Sequence, residues 1–244
     1  MIRFIIAILF VVLFLLFSYI LFIIEWIVGK INKRAKDISS LRIVQWAFKV
    51  VLWISGVKLT VIGKENMPKE AALYVGNHRS FFDILIAYVQ CENLTGFVSK
   101  DTMNKVPSFR VWMRYLYCLF LDRKDIKQGM KTILQAIEYV KQNVSIFIFP
   151  EGTRNKGEEL SMLPFKEGSF KIALKTGCPI VPVSMNNTAD IFENHMPKLR
   201  KTHVILEYGT PIDVTQLEKE EQKHLGARCQ QLVEEMLKKN AEKI

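Results

Sequence analysis

Ala71-Ala72-Leu73-Tyr74-Val75-Gly76-Asn77-His78-Arg79-Ser80-Phe81-Phe82-Asp83 is an apolar run, a glycine and a polar motif, and a second apolar run, Ile84 to Val89, follows. The first run reads as a buried strand that ends in a tight turn at Gly76. The second reads as a mostly buried helix. The polar motif therefore sits at a strand-to-helix joint, the repeating unit of an α/β domain. Two readings of Asp83 are open at this point. Ser80 and Asp83 have the Ser-x-x-acid spacing of a capping box, in which the acid serves only free amides at the helix start. Alternatively, Asp83 fixes the tautomer of His78 and leaves the other ring nitrogen to take a proton from a substrate.

Working outward, strand and helix patterns alternate. Val57–Gly63 alternates like a first strand, and Gly96–Lys100 and Tyr117–Leu121 are short strands. Pro107–Leu119 is apolar but carries Arg110 and Arg114, four apart and so on one helical face. Ile126, Met130, Ile133, Leu134, Ile137 and Val140 trace an amphipathic helix, and Ser145–Phe149 is a buried strand. A loop to about Leu163 leads into Pro164–Gly168 and a helix to about Lys175, stopped by Gly177. Pro179–Met185 is a strand whose Pro182 argues for an edge, a bulge or the strand's end. His203–Tyr208 is a further strand, and Gln216–Lys239 a charged C-terminal helix. The expected fold is α/β, a mixed, largely parallel sheet flanked by helices.

The N-terminus is of another kind. Phe4 to Ile24 is a run of 21 residues broken only by Ser18 and Tyr19. As a helix it measures about 31 Å, close to the hydrocarbon thickness of a bilayer. Glu25-Trp26-Ile27-Val28-Gly29 follows where a signal peptide would carry small residues, so a retained anchor is expected. Lys30, Lys33, Arg34 and Lys36 outweigh Arg3 on the other flank, which places the main domain on the cytoplasmic side. Leu41–Ile54 is too short to span and has a thin polar face, Arg42, Gln45 and Lys49, bordered by Trp46 and Trp53. It reads as an interfacial helix beside the anchor, with a core helix of the globular domain as the competing reading. The expected organisation is a membrane-binding segment over 1–54 and an α/β domain over 55–244.

The chain has 244 residues and a formal charge of +10, which points to an acidic partner: nucleic acid, anionic lipid, or a phosphorylated or acidic carrier. Cys91, Cys118, Cys178 and Cys229 are scattered, with no Cys-x-x-Cys pair, so a disulfide framework or zinc site is not expected. Gly-x-x-x-x-Gly-Lys and Gly-x-Gly-x-x-Gly loops are absent, as is a Gly-x-Ser-x-Gly elbow. His195, His203 and His224 lie singly. No cofactor or metal is expected.

Three strand ends carry polar groups: His78 and Asp83, then Arg123, then Glu151 and Arg154. Ligands of open α/β sheets collect at the C-terminal ends of strands, and two guanidinium forks there suit a phosphate. Gly152 allows close approach of the backbone to a ligand. A base with no protein nucleophile implies that the substrate is the nucleophile. A hydroxyl deprotonated by His78 could attack a thioester directly.

Asn77-His78-x-Ser80-x-x-Asp83, Phe120-Leu121-Asp122-Arg123, Phe149-Pro150-Glu151-Gly152-Thr153-Arg154 and Val181-Pro182-Val183 resemble, in order, the four motifs of glycerolipid acyltransferases. The likeness is greatest to bacterial 1-acyl-sn-glycerol-3-phosphate (lysophosphatidic acid) acyltransferases and covers roughly residues 55 to 215. The resemblance implies that His78 is the base for the free sn-2 hydroxyl and that Asp83 orients and charge-balances it. It assigns Arg123, Glu151, Gly152 and Arg154 to the glycerol-phosphate site, with Lys100 facing the phosphate or the oxyanion. Lys166, in Phe165-Lys166-Glu167-Gly168, belongs to the same pocket, and Pro182 lines the acyl-transfer site. Asn77, Ser80 and Thr153 are expected at the substrate site as members of the motifs. The implied partners are lysophosphatidic acid, an acyl donor (acyl-CoA or acyl carrier protein) and anionic membrane lipid, and no nucleic acid. The alternatives are another acceptor, such as glycerol 3-phosphate or a different lysophospholipid, and a non-catalytic membrane-tethered binder of acidic lipid or nucleic acid.

Overall fold

The computed structural model describes residues 1–121 and 125–244. Seven strands form one sheet: β1 (Lys58–Ile62), β2 (Leu73–Gly76), β3 (Thr95–Lys100), β4 (Leu119–Leu121), β5 (Ser145–Ile148), β6 (Ile180–Asn186) and β7 (His203–Tyr208). Their order is β1-β7-β6-β2-β5-β3-β4, and of the pairings only β6–β7 is antiparallel. The sheet is thus mixed and largely parallel, as the alternation of patterns requires.

Eight helices accompany it among the described residues: α1 (Ile2–Ile31), α2 (Lys33–Ser55), α3 (Phe82–Gln90), α4 (Pro107–Tyr115), α5 (Ile126–Lys141), α6 (Lys171–Thr176), α7 (Lys219–Lys223) and α8 (Leu225–Ala241). Successive strand residues point to opposite faces of a sheet. Tyr74, Phe147, Val181 and Val183 accordingly pack with Leu41, Val44 and Leu52 of α2 and Phe82 and Ile86 of α3. Leu73, Val75, Ile146 and Ile180 pack on the other face with Ala136, Ile172, Ala173, Val233 and Leu237 of α5, α6 and α8. The two faces each carry a helical layer.

Parallel pairing carries the functional consequence of this order. Val75 of β2 lies opposite Ile148 of β5, and Phe97 of β3 opposite Phe147. β2, β5, β3 and β4 therefore all end at one edge of the sheet, and the segments after β2, β3 and β5 meet there.

Three expectations are corrected. Pro182 sits inside an internal strand, between β7 and β2, and not at an edge. Its carbonyl accepts from the Gly209 N–H at 2.8 Å, so its missing donor faces the point where β7 has already ended. The C-terminal helix starts at Lys219, behind a capping box of Glu218 and Glu221, and breaks at His224 into α7 and α8. The third concerns α2, which begins at Lys33 and is both an exposed and a core helix. Trp46 and Trp53 are exposed, whereas Gln45 is buried and donates to the Tyr88 and Cys91 carbonyls at 2.9 and 2.7 Å. It thereby joins the Cys91 N–H on the Tyr88 carbonyl and supplies a donor to the Cys91 carbonyl, at the helix end where intrahelical donors run out.

α1 has 30 residues, about 45 Å at 1.5 Å per residue, and Asn32 alone separates it from α2. Glu25 is buried between the two helices and accepts from the Ser39 and Ser40 hydroxyls at 2.8 and 2.9 Å. Trp112 of α4 donates to Ser18 Oγ at 2.8 Å and stacks on Phe14. Near the other end Phe4 stacks on Phe192, with ring centroids 5.3 Å apart. The opposite side of α1 exposes Ile2, Ile5, Leu9, Leu13, Leu16, Ile20 and Ile23. Both α1 and α2 are long and apolar enough to cross a membrane.

Replacing Gln45 by Ala leaves the Cys91 carbonyl without its donor and the Tyr88 carbonyl with the Cys91 N–H alone. One buried acceptor left unpaired costs about 1–2 kcal/mol of stability. Thermal unfolding of detergent-solubilised Gln45→Ala should show a midpoint lower by about 2–8 °C.

Candidate active site

His78 follows β2 and is fixed from every side. Its backbone N–H donates to Glu151 Oε1 at 2.6 Å, and its carbonyl accepts from the Asn155 N–H at 2.7 Å. The imidazole stacks on Phe149, with ring centroids 4.2 Å apart and planes 16° from parallel. Nδ1 lies 2.8 Å from Asp83 Oδ2. A carboxylate only accepts, so Nδ1 carries the hydrogen in this pair and Nε2 presents a lone pair on the neutral ring.

The same Asp83 oxygen also accepts from the N–H groups of Arg79 and Ser80, at 2.7 and 2.8 Å. The contacts of a helix cap and the contact with the histidine ring are therefore both made by one atom. The reciprocal half of the capping box is altered. Ser80 Oγ accepts from the Phe82 N–H at 3.0 Å and donates to Glu193 Oε2 at 2.7 Å. Asp83 itself is fully buried.

A cavity of about 360 Å³ opens in front of the ring. Its lining includes His78, Lys100, Met103, Leu121, Ile148, Gly152, Thr153, Arg154, Lys166 and Ser169. Lys100, Arg154 and Lys166 give it three cationic side chains, and its described lining contains no carboxylate. Gly152 adopts φ +74, and a Cβ there would lie 2.7 Å from Lys166 Nζ. The left-handed backbone is what favours glycine there, since the lysine amine is the end of a flexible side chain and can move aside.

Other motif residues brace the cavity without lining it. Asn77 is buried and spans from β2 to β6, donating to the Met185 carbonyl at 2.9 Å and accepting from the Met185 N–H at 2.8 Å. It extends the ladder by one side chain. Glu151 places Oε1 on the His78 amide and Oε2 on the Leu163 amide, the latter at 2.9 Å. Burial pushes its carboxyl pKa up, and the two amide bonds work in the opposite direction. Ser80 is committed to Glu193 and Phe82. Pro182 lines a separate cavity, of about 410 Å³, with Glu207, Tyr208 and Lys239. It faces α8 there, because the strand's alternation points it away from Val181 and Val183. Arg123, with Asp122, lies outside the described residues. The four cysteines are free and buried, and no His/Cys/Asp/Glu group among the described residues could hold a metal.

Two braces escaped the motif reading. Arg79 is buried and donates to the Glu158 and Gly157 carbonyls, both at 2.7 Å, with Nε 3.1 Å from Glu159. It ties the loop after β5 to the histidine turn. Glu193, on the turn after β6, accepts from Ser80, from the Phe81 N–H at 2.8 Å and from Arg154 Nη1 at 3.1 Å. The cue available for Arg79 was its place inside the motif. Glu193, some 110 residues downstream, offered none.

A family model described as Acyltransferase matches residues 58–186. The curated 1-acyl-sn-glycerol-3-phosphate acyltransferase of Borreliella burgdorferi is 33% identical over 178 residues, 72% of this chain and 70% of that protein. The enzyme of the same name from Haemophilus influenzae is 31% identical over 213 residues, 86% of this chain and 87% of its own. The crystal structure of the 1-acyl-sn-glycerophosphate acyltransferase from Thermotoga maritima superposes with a TM-score of 0.73, covering 97% of this chain and 98% of that one. At 24% identity it speaks for the fold. The family match begins at β1, ends at the last residue of β6 and encloses the histidine turn and the Glu151–Arg154 loop; the chain belongs to the acyltransferase family.

Proposed function

We propose that the protein transfers a fatty acyl group from an acyl thioester to the sn-2 hydroxyl of 1-acyl-sn-glycerol 3-phosphate, giving phosphatidic acid. The observation that carries this reading is the pairing of one base with one anion site. His78 has Nδ1 committed to Asp83, beside a cavity lined by Lys100, Arg154 and Lys166 with no carboxylate among its described lining. The names of the curated relatives support the same acceptor.

In the proposed step the acceptor's phosphate lies against the cations, which brings its free hydroxyl to His78. Nε2 takes the hydroxyl proton as the oxygen attacks the thioester carbonyl carbon. The Asp83 carboxylate balances the imidazolium that forms. The lysines of the cavity are donors for the tetrahedral oxyanion. Collapse breaks the carbon–sulfur bond, and the imidazolium returns its proton to the departing thiolate. The products are the diacyl phosphate and a free thiol, of coenzyme A or of acyl carrier protein. Glu151 acts through the backbone of His78 rather than on the substrate.

The apolar α1 and α2 keep the enzyme where its acceptor and product reside. Lys30, Lys33, Arg34 and Lys36 favour the cytoplasmic side for the α/β domain, and the overall charge of +10 suits anionic lipid and an acidic donor.

His78→Ala should lower acyl transfer by about 10²-fold or more with unfolding unchanged, and wild-type turnover in that variant would sink the mechanism. Asp83→Asn keeps an acceptor oxygen for the Arg79 and Ser80 amides but loses the charge. Its melting midpoint should stay near that of the parent while kcat falls on the order of 10²- to 10⁴-fold, whereas Asp83→Ala should lose both. Arg154→Ala should raise KM for lysophosphatidate by about tenfold or more with a smaller change in kcat. An unaltered KM would remove Arg154 from the phosphate site.

A further inference from the structure

Arg154 is held from two sides. Its guanidinium carbon lies 4.2 Å from the centroid of the Phe81 ring, and Nη1 donates to Glu193 Oε1 at 3.1 Å. Its remaining N–H groups have no protein partner among the described residues, and the side chain lines the cavity. A guanidinium has five donors in a rigid fork, so one bond sets its orientation and leaves the rest for an anion. The carboxylate that makes this bond is mostly buried, with 17% of its side chain exposed.

Glu193 is also bonded to the turn that carries the base. Oε2 takes the Ser80 hydroxyl, and Oε1 is shared between the Phe81 N–H and Arg154. A single carboxylate, delivered by the turn after β6, thus touches the histidine turn and the cation arm at once. Phe81 strengthens the link, because its amide holds Glu193 while its ring supports Arg154.

We propose that Glu193 is a positioning residue for acceptor binding: its charge aims the Arg154 fork into the cavity, in register with the turn that presents His78. This rests on the reading that Arg154 holds the phosphate of the acceptor. A purely structural Glu193 would serve only Ser80 and Phe81. The two roles separate in Glu193→Gln, whose amide oxygen still accepts from Phe81 and whose amide N–H can donate to Ser80 Oγ, while the charge facing Arg154 is lost.

The test measures KM and kcat for lysophosphatidate in Glu193→Gln, Arg154→Ala and the double variant, with melting midpoints alongside. Glu193→Gln should raise KM by about 5- to 10-fold, the scale of one charge-assisted bond, with kcat changed less. In the Arg154→Ala background the same substitution should leave KM unmoved. Should Glu193→Gln fold poorly, Glu193→Asp, which keeps the charge on a shorter arm, is run through the same cycle and should show a smaller rise with the same dependence on Arg154. An unchanged or lowered KM overturns the proposal, the latter making Glu193 a competitor of the phosphate. An equal rise in both backgrounds overturns it too, because Glu193 would then act on the helix start alone. If Arg154→Ala alone leaves KM unaltered, the phosphate reading fails first and this inference falls with it.

Discussion

One carboxylate oxygen, Asp83 Oδ2, accepts three hydrogen bonds: from His78 Nδ1 and from the backbone amides of Arg79 and Ser80. The other oxygen, buried, has no hydrogen-bond partner among the described residues. Bonds from backbone N–H to a carboxylate are of the stronger, charge-assisted kind. They close the turn that ends β2 and starts α3, and the imidazole is bonded to the atom that closes it. The geometry of the imidazole is therefore set by the same interaction that lets the chain change from strand to helix. A side chain elsewhere could hold the ring, but it would not hold the turn.

Around this point the protein divides its charges by task. The acids around it are used up by the fold: buried Glu151 by two amides, buried Asp83 by two amides and a ring, half-buried Glu159 by the Asn187 amide and Arg79. Burial pushes the Glu159 carboxyl pKa up, as it does for Glu151, and each is compensated by backbone donors. Lys100 and Lys166, by contrast, have no ion-pair partner among the described residues and line the cavity. A cavity built in this way repels nothing anionic at its wall, and the cost of desolvating its acids has been met inside the protein before any ligand arrives.

Much of this was legible from residue order. The short apolar runs located most of the strands, because burial on both faces of a parallel sheet leaves nearly continuous apolar segments such as Ser145–Phe149. The histidine turn was legible because a glycine and a capping spacing are local signals. What the sequence could not convey was lateral order. That His78 would stack on Phe149 depends on β2 and β5 being neighbours, and Pro182, read as an edge, a bulge or the strand's end, is tolerated in an internal strand because β7 stops beside it. Gln45 read as part of the thin polar face of an interfacial helix, with a core helix as the competing reading, since helical periodicity cannot tell water from the carbonyl end of another helix. Glu193 was illegible for the same reason: its meaning lies in three partners from distant parts of the chain.

The single residue between α1 and α2, Asn32, has an extended backbone and caps the second helix through its side chain, 3.0 Å from the Ala35 N–H. There is no slack in such a joint. With Glu25 clasped by Ser39 and Ser40 and with Trp112 and Phe192 stacked along its flank, α1 is a keel and not a leash. These contacts set the free side of α1 and the cavity in one frame. The depth at which an apolar phase receives α1 would then also set the height at which a lipid meets the cavity.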